Sequence, residues 1–174
     1  MARVRQRKCK EQGEEKEGKE SEENEEMKNN KKVVINAVKQ QGYALQYASE
    51  ELKNDNEVVI NAVRQNGYAL KYASEKLRND KEVVIEAVKK DWFVALQIVS
   101  EKLKNNKDVV INAVRQNGFA LFFASKELKN DKEFMLEAMK QDGNALKYAS
   151  EELRNDKEVV IEAIRNDWHA IKLA

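Results

Sequence analysis

The sequence has few of the residues on which common catalytic and metal sites depend. Its 174 residues include no proline, one cysteine, Cys9, and one histidine, His169. One cysteine cannot form a disulfide within the chain, and a single Cys and a single His near opposite ends do not provide a zinc-ligand set. The six glycines are divided between the N-terminal tail and short turns, so the sequence has no glycine-rich phosphate loop. We therefore expect a protein that is not an enzyme and has no catalytic, cofactor-binding or metal-binding residues.

Charge and hydrophobicity argue against two further classes. Lys and Arg number 32 against 31 acids, which disfavours a general polyanion binder. Apolar runs such as Trp92–Leu96 are far shorter than the ~20 residues of a membrane-spanning helix. The opening MARVRQRKCK lacks the apolar segment of a secretory signal. We expect an intracellular protein, cytoplasmic by default, with the nucleus as an alternative because five of the first ten residues are basic.

A unit of about 25 residues dominates the chain and is seen clearly in Glu57–Lys81. Full copies begin at Lys32, Glu57, Glu82, Asp108 and Glu133, and an incomplete sixth begins at Glu158. Short repeats of this kind are typical of stacked arrays. Copy three has one extra residue, where Trp92 and its neighbours replace the Asn-Gly turn of the other copies. We expect the turn to absorb it, with a local bend.

Each unit predicts a pair of helices. Val58, Val59, Ala62 and Val63 form one wide apolar face, and Ala69, Leu70, Ala73 and Leu77 form a second that runs to about Arg78. Gly67 is expected to end the first helix in the left-handed conformation. The spacing of Asn and an acid three residues later predicts the helix N-caps, at positions Asn54, Asn79, Asn105, Asn130 and Asn155.

Such short helices are not stable alone, so neighbouring pairs must bury their apolar faces against each other. The sequence therefore predicts an all-α fold, an α-solenoid (α-α superhelix) of six helix-turn-helix repeats with the last one truncated. Residues 32–174 form the repeat domain, 21–31 a degenerate half-repeat that caps it by docking Met27, and 1–20 a disordered charged tail. We expect a monomer, or weak end-to-end association through the unfinished last repeat.

Two kinds of equivalent position are candidates for binding. A basic column at the end of the first helices could contact anions, and its members are Lys39, Arg64, Lys89, Arg115, Lys140 and Arg165. The competing interpretation is that these cations only complement the helix dipole. A column of serines, from Ser49 to Ser150, is interpreted as structural: the small side chains would let helices approach and would bond to the carbonyl four residues back.

Aromatic residues provide the second candidate. Phe122 stands where the other copies have Gln or Lys, with Phe119 and Phe123 beside it and Trp92 one copy away. These four residues are either an exposed patch for a partner or, for Phe122, a side chain buried over the bend.

The motif of Asp55–Asp80, with its EVVI, GYAL, YASE and LRND segments, resembles the family of domains of unknown function numbered 4116. The resemblance covers about residues 30–174. It implies tandem short helical segments and brings no activity, cofactor or site residue.

The function expected from these patterns is a non-enzymatic repeat scaffold that binds another protein. The alternative is weak, non-specific binding of nucleic acid or another polyanion along the Lys and Arg columns. A position that could read bases, from Gln40 to Asn166, varies little between copies, which disfavours sequence-specific RNA recognition.

Overall fold

The computed structural model describes residues 24–173, and throughout this range the regular secondary structure is helical, without strands. The tandem repeats stack side by side and share one continuous hydrophobic core. The predicted all-α solenoid is therefore confirmed. The tail predicted at residues 1–20 lies outside the described part of the chain.

Each of the five complete repeats contains three helical segments, where the sequence predicted two. The long helices are α2 Lys31–Gln40, α4 Asn56–Gln65, the first part of α6 Lys81–Ile98, α8 Lys107–Val114, α10 Lys132–Gln141 and α12 Lys157–Asn166. The 3-10 helices that follow them are η1 Gly42–Tyr47, η2 Gly67–Tyr72, η3 Gly118–Phe123, η4 Gly143–Tyr148 and η5 Trp168–Leu173. One-turn α-helices close the repeats: α3 Glu50–Lys53, α5 Glu75–Arg78, α7 Glu101–Lys104, α9 Lys126–Lys129 and α11 Glu151–Arg154. A further helix, α1, spans residues 24–29.

The long helices are capped one residue later than predicted. Asp55, with extended backbone angles, caps α4 by accepting a hydrogen bond of 3.1 Å from Val58 N–H. Its neighbour Asn54 ends the preceding one-turn helix instead. Asn79, Asn105, Asn130 and Asn155 are likewise C-caps, so these predicted N-caps are wrong. Asn and Asp are equally good N-caps, and two such residues stand next to each other before each of these helices. The sequence alone therefore does not show which of the two is the cap.

The predicted second helix is divided at its serine. In repeat two, Ala73 is extended at φ −68° and ψ 157°, and Ser74 starts the one-turn helix by accepting a hydrogen bond from Leu77 N–H at 3.3 Å. Ser49, Ser125 and Ser150 cap their helices in the same way. The serines therefore act as N-caps, and the predicted bond to a carbonyl four residues back is wrong. The apolar spacing suggested one continuous helix because Ala69, before the break, and Leu77, after it, are both buried.

The glycines of the repeats are needed because neighbouring repeats pack too closely to leave room for a side chain. None of those in residues 24–173 has a positive φ, so the predicted left-handed conformation is wrong. A Cβ on Gly67 would lie 2.8 Å from the carbonyl oxygen of Ala87 in the next long helix. At Gly42 the corresponding distance, to Ala62 O, is 2.6 Å. Glycine therefore lets the 3-10 helices that begin at Gly42, Gly67 and Gly143 start directly against the backbone of the next repeat.

Hydrogen bonds also join successive repeats. Ser74 N–H donates to the carbonyl of Lys53 at 2.9 Å, and the bond recurs for Ser125 with Lys104 and for Ser150 with Lys129. The carbonyl of Lys28 in α1 accepts the equivalent bond from Ser49, so α1 occupies the place of a preceding one-turn helix. Met27, expected to dock and cover the end, is 46% exposed beside an apolar groove.

Repeat three departs from this pattern in its middle segment. Helix α6 is interrupted at Asp91, whose φ of −151° and ψ of 84° match the extended conformation at the turns of other repeats. The turn therefore does not absorb the extra residue, contrary to the prediction. Residues 92–98 form an α-helical segment in place of the six-residue 3-10 helix, since Val99 N–H donates to Ala95 O four residues back.

The helix geometries explain how the extra residue fits. An α-helix rises ~1.5 Å per residue and a 3-10 helix ~2.0 Å, so seven α-helical residues span ~10.5 Å and six 3-10 residues ~12 Å. The change has a cost in hydrogen bonds. Among the five repeat serines in the described range, Ser100 alone caps no helix with its side chain and donates no backbone bond to the preceding repeat.

No helix in residues 24–173 combines the length and the apolar character needed to cross a membrane.

Candidate functional site

Six aromatic side chains from repeats three to five form a continuous surface cluster, here called the aromatic patch. Its members are Trp92, Phe93, Phe119, Phe122, Phe123 and Tyr148. Phe119 and Phe122 are stacked, with ring centroids 5.5 Å apart and planes 6° apart. Edge-to-face pairs link the rest, from Trp92 with Phe93 at 5.5 Å to Phe119 with Tyr148 at 6.2 Å. These are favourable aromatic geometries, so the rings hold each other in place.

Half of the aromatic patch is open to solvent. Phe122 is 59% exposed, Phe93 45% and Phe119 43%, whereas Trp92, Phe123 and Tyr148 are partly buried against the core. The alternative that Phe122 is buried over a bend is therefore not what the structure has. The three partly buried rings form a floor, and the three exposed rings stand on it.

Local sequence explains why the rings meet here. In the α-helical segment of repeat three, Trp92 stands where repeats one, two, four and five have the close-packing glycine, and Phe93 follows it as Phe119 follows Gly118. Both phenylalanines are exposed. Phe93 lies 5.6 Å from Phe123 of the next repeat. Sequence reasoning named Trp92, Phe119, Phe122 and Phe123 but missed Phe93 and Tyr148. The signal that could have identified Phe93 is its place directly after the glycine position, where other repeats have Tyr43, Tyr68 and Phe119.

The basic column is exposed, and most of it is ion-paired. Arg64 Nε and Lys89 Nζ approach the two carboxylate oxygens of Glu86 at 2.6 and 2.8 Å. Lys89 first, and Arg64 with it, hold the pKa of Glu86 below its usual value. Arg115 lies 3.8 Å from Glu137, and Arg165 lies 3.3 Å from Glu162. The column is therefore interleaved with acids, which reduces its attraction for a polyanion.

Two members of the basic column differ from the rest. Lys39 and Lys140 form no ion pair with any residue of the described range, and both are exposed. Lys140 and Arg165 border a groove of about 580 Å³ between α10 and α12. Its lining also includes Ile161 and Glu158, so the groove is of mixed character.

Two of the side chains considered for base reading, Gln65 and Asn166, form hydrogen bonds with the protein itself. Gln65 Oε1 accepts a hydrogen bond from Gly42 N–H at 2.7 Å, and Gln65 Nε2 donates to the carbonyl of Gln40 at 3.2 Å. Asn166 repeats both contacts with Gly143 and Lys140. These side chains join consecutive repeats.

His169 lies next to an acid and an aromatic ring. Its Nδ1 is 3.0 Å from Asp167 Oδ1, and its ring is 3.7 Å from that of Trp168 between centroids. Within residues 24–173, no serine side chain bonds to His169, and no group of three His, Cys, Asp or Glu side chains is placed to hold a metal.

A family model, described as a domain of unknown function (DUF4116), matches four segments of the chain: residues 30–78, 55–97, 80–129 and 131–174. The matches span all six repeats. Neither a curated protein nor a solved structure matches the chain.

Proposed function

This chain belongs to the DUF4116 family, a domain of unknown function, and from the surface of its repeats we propose that it is a non-enzymatic scaffold that binds another protein through the aromatic patch. The observation that carries the proposal is the exposure of Phe93, Phe119 and Phe122 side by side in the middle of the array. Exposed apolar clusters of this kind are characteristic of interaction sites, and aromatic side chains are enriched in them.

Comparison between repeats supports the proposal. The position of Phe122 is occupied by Gln97 in repeat three and by Lys147 in repeat five, and both are exposed. The fold therefore accepts a polar side chain at this position, and burial in the core does not require a phenylalanine there. A large aromatic ring in contact with water has a hydration cost that an interaction partner would remove.

The serines and the cationic column support a structural role for the rest of the repeat. Ser74 caps a helix, and Glu86 forms ion pairs with both Arg64 and Lys89. These groups are already used to hold the array together. The alternative function is weak polyanion binding along the basic column, and the ion pairs weigh against it because a phosphate would have to displace carboxylates that are already bound.

The test compares three forms of the full chain as bait: the unmodified protein, Phe122→Lys and Gln97→Lys. Gln97→Lys places the same charge at the equivalent position of the adjacent repeat, so it is a matched control. We expect both variants to retain the free energy of unfolding to within about 0.5 kcal/mol, as is usual for exposed positions. Proteins captured by the unmodified chain should also be captured by Gln97→Lys and lost with Phe122→Lys.

Two results would contradict the proposal. One is an identical set of captured proteins with all three baits. The other is a large fall in the melting temperature of Phe122→Lys, which would show that the ring is needed for folding. A salt-sensitive affinity for a single-stranded oligonucleotide that survives Phe122→Lys would instead support the polyanion alternative.

A further inference from the structure

Repeat four departs from its neighbours in charge as well as in aromatic content. In repeats one and three the lysine that ends the one-turn helix pairs with a glutamate three residues earlier, Lys53 with Glu50 at 2.8 Å and Lys104 with Glu101 at 2.7 Å. In repeat four the glutamate is replaced by Lys126, which leaves Lys129 without this partner.

Lys129 is turned toward the aromatic patch. Its Nζ donates a hydrogen bond of 3.0 Å to the carbonyl oxygen of Phe122, and burial lowers the pKa of its ammonium group. Neither Lys129 nor Lys126 forms an ion pair with any residue between 24 and 173. The ammonium group thus has a carbonyl contact but lacks the carboxylate partner that Lys53 and Lys104 have.

A third cation lies on the other side of the patch. Lys147 Nζ lies 4.7 Å from the centroid of the Tyr148 ring, and that ring is 6.2 Å from Phe119. Lys147 is also without an ion pair in the described range. The nearby acid Glu127 is held by its own backbone N–H and by the side chain of Ser125, which lower the pKa of its carboxyl group.

We propose that the segment bound by the aromatic patch is an acidic polypeptide segment, with an apolar side chain that packs on Phe93, Phe119 and Phe122 and a neighbouring carboxylate that pairs with Lys129 or Lys147. This inference rests on the proposed function, because it names the partner of the same surface. A partner that covered the rings without supplying a carboxylate would remove water from these lysines and leave their charges unpaired, which is unfavourable. Carboxylates beside the apolar anchor therefore provide both affinity and selectivity.

The charges around the aromatic patch fit a bound protein segment better than a bound nucleic acid. A single strand needs cations along a continuous path, with rings on which successive bases stack. Here the basic column is interleaved with Glu86, Glu137 and Glu162, so it does not provide such a path.

The experiment selects random twelve-residue peptides, displayed on phage, against the full chain. The selected peptides are then synthesised, and their affinities are measured by fluorescence anisotropy. The decisive variant is Lys126→Glu, which restores the residue of the other repeats and supplies Lys129 with the carboxylate partner that Lys53 and Lys104 have. Lys76→Glu, the same charge change in repeat two, is the control, and Phe122→Lys removes the apolar contact.

We expect the unmodified chain to select peptides in which an aromatic residue, Leu or Met lies within four positions of Asp or Glu. Their affinity should fall about tenfold with Lys126→Glu, change little with Lys76→Glu, and be lost with Phe122→Lys. Selection of peptides without acids, or an affinity unchanged by Lys126→Glu, would overturn the inference while leaving the proposed function in place. The proposed function itself would fail if no selected peptide depended on Phe122. Binding of an oligothymidylate strand that is lost with Phe122→Lys would show that the partner class is wrong.

Discussion

Ser125 Oγ donates a hydrogen bond of 2.7 Å to Asn105 Oδ1, which belongs to the end of the preceding repeat. The same hydroxyl oxygen accepts from Leu128 N–H at 3.1 Å and so caps α9. One side chain therefore starts a helix and joins two repeats. Its counterpart Ser100 has neither role in the described structure.

Replacing Ser125 by Ala should destabilise the protein by about 1 kcal/mol, the usual value of a lost N-cap. Ser100→Ala is the matched control, and its effect should be clearly smaller because no side-chain cap is lost. Urea unfolding followed by circular dichroism measures both. Equal losses of stability would show that the hydroxyl of Ser125 contributes nothing beyond the backbone contacts.

Close packing predicts different tolerance at two glycines. Gly67→Ala should cost about 1–3 kcal/mol, as overpacking does, because the added methyl group would meet the carbonyl of Ala87 and the backbone cannot move aside. At Gly118 the nearest atoms belong to the side chain of Asp142, which can turn aside at the cost of the 2.9 Å hydrogen bond that it accepts from Asn144 N–H. Gly118→Ala should therefore cost less. Thermal unfolding of the two variants decides the order, and a larger loss at Gly118 would contradict this account of the glycines.

A third comparison concerns Gln65, whose side chain joins two consecutive repeats. Gln65→Ala removes the acceptor of Gly42 N–H and leaves a buried donor unpaired, which typically costs about 1–3 kcal/mol. Gln141 occupies the equivalent position in repeat five and makes no side-chain hydrogen bond within the described range. Gln141→Ala should be nearly neutral in the same urea titration. The bridge is unimportant if the two substitutions have the same effect.

The N-cap carboxylates predict a loss of stability in acid. Lys107 and the N–H of Phe134 hold the pKa of Asp131 below its ordinary value of 3.8. A carboxyl group whose pKa is lower in the folded state stabilises that state above its unfolded pKa, and the contribution disappears as the pH falls through the folded pKa. The stabilisation is thus complete above about pH 5 and declines below about pH 4.

Asp131→Asn isolates this effect, because Asn106 already serves as the N-cap of α8 and the substitution keeps the acceptor. The unfolding free energies of the unmodified and variant proteins should differ by a constant amount at neutral pH and converge below about pH 4. Chemical unfolding between pH 3 and pH 7 provides the measurement. A difference that does not change with pH would exclude the ion pair with Lys107 as the cause.

Much of the architecture could be predicted from the sequence because the apolar periodicity repeats six times. Val58, Val59, Ala62 and Val63 are all fully buried, as their spacing indicated. What the pattern could not predict was the local hydrogen bonding. The choice between Asn54 and Asp55 as cap depends on backbone angles that neither side chain determines alone.

The candidate site was predicted in part. The column alignment identified Phe122 as exceptional, since it stands among Gln and Lys residues. Phe93 was missed because the alignment placed the extra residue in the turn, whereas the chain accommodates it by changing a 3-10 helix into an α-helix. The pairing of Arg64 with Glu86 of the next repeat depends on how the long helices stack, which the spacing within one repeat does not give.

The most direct test of the account uses Trp92, which lies in the floor of the aromatic patch. In a Trp168→Phe variant it is the one remaining tryptophan, and its fluorescence can be followed while a selected acidic peptide is titrated. We predict a blue shift that saturates at the affinity measured by anisotropy and is absent when Phe122 is replaced by Lys. Saturable binding of the peptide with no change in Trp92 emission would contradict the claim that the aromatic patch is the binding site.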